Sequence, residues 1–349
     1  MLSLWIIALW LIFARITRLP RKVTWRVLGG FWGLMILVQL VAPESGIAQT
    51  LGGSLAGWLV IGAAAGLVTL YRRALSGLKR RAVPVQAPAA ASDAGLSEAE
   101  LDRYSRHLLL PQIGGPGQMR LRQARVLVVG AGGLGAPVCL YLAAAGVGRI
   151  TLADDDIVSR SNLQRQVIFR DDLRGEPKAY AAAQAMLSLN PLIDITPLTR
   201  RIGAEDAALI AGHDLVIDGT DSLASREALN RACIVAGVPM LSGAIARWDG
   251  QVTLFDPARG GPCMACHSGR PLAQEFPCAE AGVIGPLPGV IGSLLALEAV
   301  KYLTEAGESL RGRLLLFDGL SLETRLLNVE RDPECSVCAK SGQAAAAAS

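Results

Sequence analysis

"GAGGLGAPVC", Gly130 to Cys139, follows the apolar run "RVLVV" and leads into an alanine-rich stretch of helical character. Strand, glycine turn and helix, in that order, make a seat for an anion. The first glycine permits a tight turn, the second lets backbone approach a phosphate, and the third lets helix pack on strand. Free amides and the helix dipole then favour negative charge at the turn. Asp154 stands 24 residues beyond Gly130, at the end of the next apolar run "RITLA", where a carboxylate can accept hydrogen bonds from a ribose. Gly130, Gly132, Gly133, Gly135 and Asp154 together predict a Rossmann-type nucleotide site. NAD and ATP satisfy this much equally.

The next residues separate the two. Asn162, Arg165 and Lys178 bring polar donors and positive charge where a dinucleotide enzyme needs few, and such groups suit a triphosphate with a charged leaving group. Further on, "DLVIDGTDS" (214–222) is an apolar strand ending in Asp218 and Asp221. A carboxylate there is a natural Mg²⁺ ligand, the competing reading of Asp221 being a cap on the following helix. From about residue 98 to residue 340 strand-like runs alternate with helical ones, which predicts a Rossmann-like α/β fold with a mainly parallel sheet, helices on both faces and a C-terminal antiparallel portion.

The rest of the chain differs in kind. Mean hydropathy is +0.38, and the surplus lies before residue 82, in runs at 1–14, 27–42 and 51–71. The third is long enough to span a bilayer and the second nearly so. Ten basic residues and one acidic residue precede position 83, a net of +9 that leaves −5 for the remainder of a chain of net +4. The basic residues flank the first and third runs and spare the loop holding Glu44, so the positive-inside rule puts both basic stretches in the cytoplasm. The expectation is a transmembrane region over residues 1–80 in the inner (cytoplasmic) membrane, with two or three helices and the catalytic domain in the cytoplasm; a buried hairpin of a soluble domain is the alternative. Anionic headgroups account for the basic residues, so no nucleic-acid partner is expected. "RAVPVQAPAAASDAGLS" (81–97) reads as a flexible linker and 341–349 as a disordered tail.

Among seven cysteines, "CMAC" (Cys263, Cys266) and "CSVC" (Cys335, Cys338) form two C-x₂-C pairs 68 residues apart. In a cytosolic compartment that spacing predicts a tetrahedral thiolate Zn²⁺ site rather than disulfides. With four sulfur ligands the metal has no open position and staples the C-terminal segment; His267 is then a bystander. Cys139 and Cys233 lie in apolar helical stretches and read as buried small hydrophobes. Cys278 stands in the Pro- and Gly-punctuated loop "QEFPCAEAGVIGP".

From "RYSRHLLLPQIGGPGQ" (103–118) through the glycine turn, "SNLQRQV", "DGTDS", "GAIARWDGQVTLF" (243–255), "AEAGVIGPLPGVIGSLLALEAVK" (279–301) and "LLLFDGLS", the chain resembles the ThiF/MoeB/HesA family of sulfur-carrier adenylyltransferases, relatives of the ubiquitin-activating enzymes. The resemblance implies ATP-dependent adenylylation of the C-terminal Gly-Gly carboxylate of a small ubiquitin-like carrier, with release of pyrophosphate, in thiamin or molybdopterin biosynthesis. It implies that Asp154 holds the ribose, Asn162, Arg165 and Lys178 the phosphates, and Asp221 the magnesium. It further implies a homodimer in which Arg106 reaches the neighbour's ATP, and it assigns Cys278 to a covalent link with the activated carrier or to accepting sulfur. Long relatives append a sulfurtransferase domain after the zinc site; here a separate sulfur donor is expected. Competing readings are an NAD-dependent oxidoreductase, a tRNA-modifying dehydratase of the same superfamily, and a non-catalytic membrane scaffold.

Overall fold

The computed structural model describes residues 21–46, 54–81, 95–267 and 282–339, with isolated positions between 3 and 17. Most of the 1–14 run, most of the linker, the tail and Cys278 lie outside the described residues. The chain divides into two compact units, Met1–Ala87 and Pro88–Ser349.

The first unit contains α1 (Arg21–Val41) and α2 (Leu55–Arg81). They meet through aromatic side chains: Phe31 and Trp58 pack edge to face with centroids 6.4 Å apart. The Trp32 indole N–H donates to the Trp58 carbonyl at 2.8 Å. Gly62 lies against the Trp32 ring, where no Cβ fits. Met35 and Trp58 are buried in this contact, while Leu34, Leu37, Leu40, Val60, Leu67 and Leu70 are exposed. A helical pair with an apolar outer surface inverts the usual soluble pattern. Val23–Val41 is long and apolar enough to cross a membrane; Pro286–Thr304 passes the same test of length and composition, yet half of it is buried in the second unit's core.

The second unit opens with α3 (Glu98–Arg103), whose N-cap Ser97 and Glu100 form a reciprocal capping box. Next come α4 (Ser105–Leu108) and α5 (Gly114–Gln123), β1 (Arg125–Val129), α6 (Gly135–Ala145), β2 (Arg149–Ala153), α7 (Lys178–Leu189) and β3 (Asp194–Leu198). α8 (Ala207–Ile210), β4 (Leu215–Asp218), α9 (Leu223–Ala236), β5 (Met240–Ala246), β6 (Asp249–Phe255), α10 (Met264–His267), α11 (Pro286–Thr304), β7 (Arg313–Asp318) and β8 (Thr324–Asn328) complete it. The sheet order is β3-β2-β1-β4-β5-β6-β7-β8. β1 to β5 are mutually parallel, and β6, β7 and β8 add antiparallel strands.

"RVLVV" lacks polar alternation because β1 is central and covered on both faces. Val126 and Val128 join the larger hydrophobic cluster, with side chains of α6, α7 and α11, and Leu127 and Val129 point to the opposite one with Leu229, Ala232 and Cys233 of α9. Cys139 and Cys233 are buried in these two cores. Strand order reverses between β1 and β4, so a crevice opens at the carboxyl ends of the strands on that line. Gly130, Asp154 and Gly219–Asp221 follow β1, β2 and β4, which sets all three at the crevice.

Candidate functional site

The crevice is a cleft of about 700 Å³ lined by the glycine turn, the segments after β2 and β4, the start of α7 and the inner faces of β5 to β8. Gly130 has φ +94°, and a Cβ there would sit 2.9 Å from the Gly219 carbonyl oxygen. Only glycine closes this turn without strain. Gly135, the first residue of α6, is pressed on the Gly130 carbonyl, whereas Gly132 has only the Gln166 amide nearby, 3.7 Å from its would-be Cβ. Gly130, Gly132 and Gly133 line the cleft; Gly135 lies behind them as a packing residue.

Asp154 is fixed by two amides: Ala131 N–H donates to Oδ2 at 2.7 Å and Asp156 N–H to Oδ1 at 2.9 Å. Burial pushes its carboxyl above the ordinary range, against the pull of Lys178 and those amides. Lys178 begins α7, is buried, and donates from Nζ to Asp156 Oδ2 at 2.8 Å. Arg165 is only loosely held, with contacts of 3.4 Å to the Ser161 carbonyl and to Asn162 Oδ1. Arg165 and Lys178 line the cleft; Asn162 lies outside its walls and orients Arg165 instead.

The two acids after β4 separate by burial. Asp218 is fully buried: Oδ1 accepts from Thr220 N–H (3.0 Å) and Thr220 Oγ1 (2.7 Å), and Oδ2 from Ser242 Oγ (2.7 Å). Both oxygens are engaged and buried, Oδ2 also facing Arg226 Nε at 3.7 Å, so Asp218 serves the turn and not a ligand. Asp221 is exposed and lines the cleft. The cap of α9 is Ser222, whose Oγ accepts from Ser225 N–H at 3.2 Å, which leaves the Asp221 carboxylate free of that duty.

Arg106 lies exposed on α4 and is absent from the walls of its own chain's cleft. Three features of the cleft escape a reading of the sequence. Gln166 is buried in its wall with Oε1 lacking a hydrogen-bond partner among the described residues. Arg200 and Arg201 line the far side, paired with Asp206 (2.7 Å) and Asp155 (2.9 Å). Arg226, buried at the first turn of α9, donates from Nη2 to the Thr220 carbonyl at 2.8 Å.

The four cysteines converge. Sγ atoms of Cys263, Cys266, Cys335 and Cys338 all lie within 4.8 Å of one another, with separations of 3.8, 3.7 and 3.5 Å for three of the pairs. A tetrahedron of sulfurs about 2.3 Å from a central ion has edges of about 3.8 Å, so the set fits one metal ion. Arg331 fastens this knuckle, donating to the carbonyls of Pro257 (3.1 Å) and Cys338 (2.8 Å).

A glycine turn, an acid on the next strand, cations and a free carboxylate at a topological switch point define a nucleotide-handling α/β enzyme, here with a four-cysteine metal knuckle. The chain belongs to the ThiF family, which residues 104–337 match. It is 46% identical over 246 residues to the molybdopterin-synthase adenylyltransferase of Escherichia coli (strain K12), covering 70% of this chain and 99% of that protein. It is 45% identical to the sulfur carrier protein adenylyltransferase of Thermus thermophilus (69% and 92% covered). It is 44% identical to the SAMP-activating enzyme E1 of Haloferax volcanii (71% and 92% covered). Among solved structures it resembles E. coli MccB with AMPCPP and selenomethionine MccA, at TM-score 0.61 and 25% identity over 68% of this chain and 74% of that one.

Proposed function

We propose that the cleft activates the C-terminal carboxylate of a small sulfur-carrier protein as an acyl-adenylate. The chain is an adenylyltransferase: the carrier carboxylate attacks the α-phosphorus of ATP, the bond from that phosphorus to the α,β-bridging oxygen breaks, and pyrophosphate leaves with that oxygen. The observation that carries this reading is the placement of Arg165, Lys178 and Asp221 around one glycine turn, in a cleft that continues along β5 to β7 and so has room for an extended peptide tail. Two anions must meet in the reaction, and cations held in place beforehand lower that repulsion. No general base is needed, because the nucleophile is already ionised.

In this reading Asp154 holds the ribose, and Arg165, oriented by Asn162, and Lys178 face the phosphates. Asp221 would hold Mg²⁺, which when bound neutralises charge on the leaving pyrophosphate; its exposed carboxylate suits a hard cation. Zn²⁺, whose thiolate bonds of about 2.3 Å suit the cysteine set, would fill it in a structural role. Cys278 is assigned to a covalent link with the activated carrier or to accepting sulfur, Arg106 to the neighbour's cleft in a homodimer, and the pathway is that of molybdopterin or thiamin. With a carrier ending in Gly-Gly, the protein should exchange radiolabelled pyrophosphate into ATP, and Asp221→Ala should abolish exchange. Undiminished exchange in the mutant removes Asp221 from the site. A melting temperature raised by NAD and not by ATP favours the oxidoreductase.

The apolar outer surface of α1 and α2 supports a membrane anchor, and the basic residues flanking the first and third apolar runs favour the catalytic unit on the cytoplasmic side. A reporter inserted near Glu44 should then be active outside and one fused after residue 349 inside. The reverse pattern overturns the topology.

A further inference from the structure

α9 runs between the two chemical centres of the second unit. At its first turn, Arg226 Nη2 donates to the Thr220 carbonyl at 2.8 Å and Nε reaches the same oxygen at 3.3 Å. That carbonyl belongs to the turn whose next residue is Asp221. Thr220 itself is tied to Asp218, and Asp218 to Ser242 on β5. One helical turn later Asn230, 4% exposed, accepts through Oδ1 the backbone N–H of Met264 at 3.1 Å. Met264 is the residue after Cys263 in the C-x₂-C knuckle. A further turn on, Ile234 packs against the cysteine cluster. Positions 226, 230 and 234 are spaced by four, so they share one face of the helix. This face touches the Asp221 turn at one end and the thiolate knuckle at the other.

We infer that Arg226 and Asn230 are positioning residues which tie the Asp221 turn to the thiolate knuckle through α9, so that the knuckle's grip on the helix sets the cleft's affinity for a magnesium nucleotide. The inference rests on the reading of the cleft as an ATP site with Asp221 toward the metal. The physical reason is the polarity of the face. The Met264 N–H is buried and has to be paired, and the half-buried Thr220 carbonyl at the cleft wall is held by the buried Arg226 guanidinium. A shift of α9 along its axis breaks one or the other, so the helix has little freedom while the knuckle is closed. Loosening the knuckle end releases the register of the helix, and the Thr220 carbonyl follows Arg226. Asn230 touches neither the cleft nor a cysteine sulfur, which makes it the informative position.

The test uses the full chain and its Asn230→Ala variant, with bound metal measured in both. Affinity for ATP is titrated with and without Mg²⁺, and hydrogen exchange is followed over residues 219–226. The expected result is metal retained, Mg²⁺-dependent ATP affinity weakened about three- to tenfold, Mg²⁺-free affinity unchanged, and faster exchange in the 219–226 segment. Asn230→Asp, which keeps an acceptor for Met264 N–H, should restore most of the affinity. If the alanine variant does not fold, Asn230→Ser, which retains a shorter polar group out of reach of that amide, takes its place with the same expectation. Unchanged affinity and exchange with the metal retained overturn the coupling and leave the ATP reading standing. A parent chain that binds no ATP overturns both.

Discussion

Lys178 Nζ donates to Asp156 Oδ2 at 2.8 Å, and the two side chains differ in environment: the lysine is 4% exposed, the aspartate 65%. The ammonium is therefore stored in the cleft wall against a carboxylate that water already solvates. Breaking the pair from either side has unequal consequences. Lys178→Met keeps the buried stem and leaves an exposed carboxylate that water satisfies, so stability should change by about 1 kcal/mol or less. Pyrophosphate exchange should fall by about a hundredfold or more, the scale of losing one preorganised charge at a reacting phosphate. Asp156→Ala instead leaves a buried ammonium with the Asp154 carboxylate still in reach and should be the more destabilising change, by about 1–3 kcal/mol. Equal melting temperatures for the two variants would contradict this account.

What the sequence made legible follows from where identity and burial coincide. Gly130 could be read because only glycine serves the turn, and the cysteine pairs because few residues do what a thiolate does. β1 could be read because a doubly covered strand has no polar face to hide. Asp218 and Asp221 could not be told apart from local pattern alone, where only the family resemblance singled out Asp221: Asp218 ends β4 and Asp221 follows three residues on, and the Thr220 and Ser242 hydroxyls decide which carboxylate is used up. Asn162 sits outside the cleft walls, 3.4 Å from Arg165 through its Oδ1, a placement its spacing in the sequence does not reveal. Arg200, Arg201 and Arg226 carry no spacing signal at all, because their places in the wall arise from the meeting of β3, β4 and α9 in space.

The cysteine knuckle should hold one zinc ion per chain, detectable by metal analysis of reductant-treated protein. Cys266→Ser should lose the metal and several kcal/mol of stability, given that structural zinc contributes on the order of 10 kcal/mol in small domains. Cys139→Ser supplies the contrast, because Cys139 is buried against β1 and away from the cluster. It should keep the metal. Metal-free parent protein prepared without chelator would refute the site.

His213 predicts an acid-sensitive step in stability. Its Nδ1 lies 3.0 Å from the Leu209 carbonyl and its Nε2 2.8 Å from Thr151 Oγ1. A carbonyl only accepts, so Nδ1 carries the proton and Nε2 accepts from the threonine hydroxyl in the neutral ring. Burial holds the ring's pKa below its ordinary 6.5, outweighing the Leu209 carbonyl and Asp214. The unfolded chain therefore binds more protons in the window just below 6.5. Stability from the neutral ring is complete above that value and is lost as pH falls from it toward the lower folded value. Urea midpoints measured between about pH 7.5 and about pH 5 should drop in the parent, and His213→Gln should flatten part of that slope. An unaltered slope would clear His213.

Arg106 is exposed on α4 and forms no part of its own cleft, so its assignment to nucleotide chemistry requires a second copy of the chain. An arginine supplied by a neighbour makes a specific complementation pattern. Arg106→Ala removes a cation from the partner's site, whereas Asp221→Ala disables the site of its own chain. In a mixed dimer one cleft then carries both defects and the other carries neither. Random exchange between equal amounts of the two inactive variants makes about half of the dimers mixed, so about a quarter of all sites should regain pyrophosphate exchange. The control is a pull-down with two tags, which reports whether subunits exchanged. Recovery near that fraction fixes Arg106 in the neighbour's site. Exchange without recovery means that Arg106 acts within its own subunit or has no part in catalysis, and the shared site is then lost from the proposal while the roles of Lys178 and Asp221 stand on their own measurements.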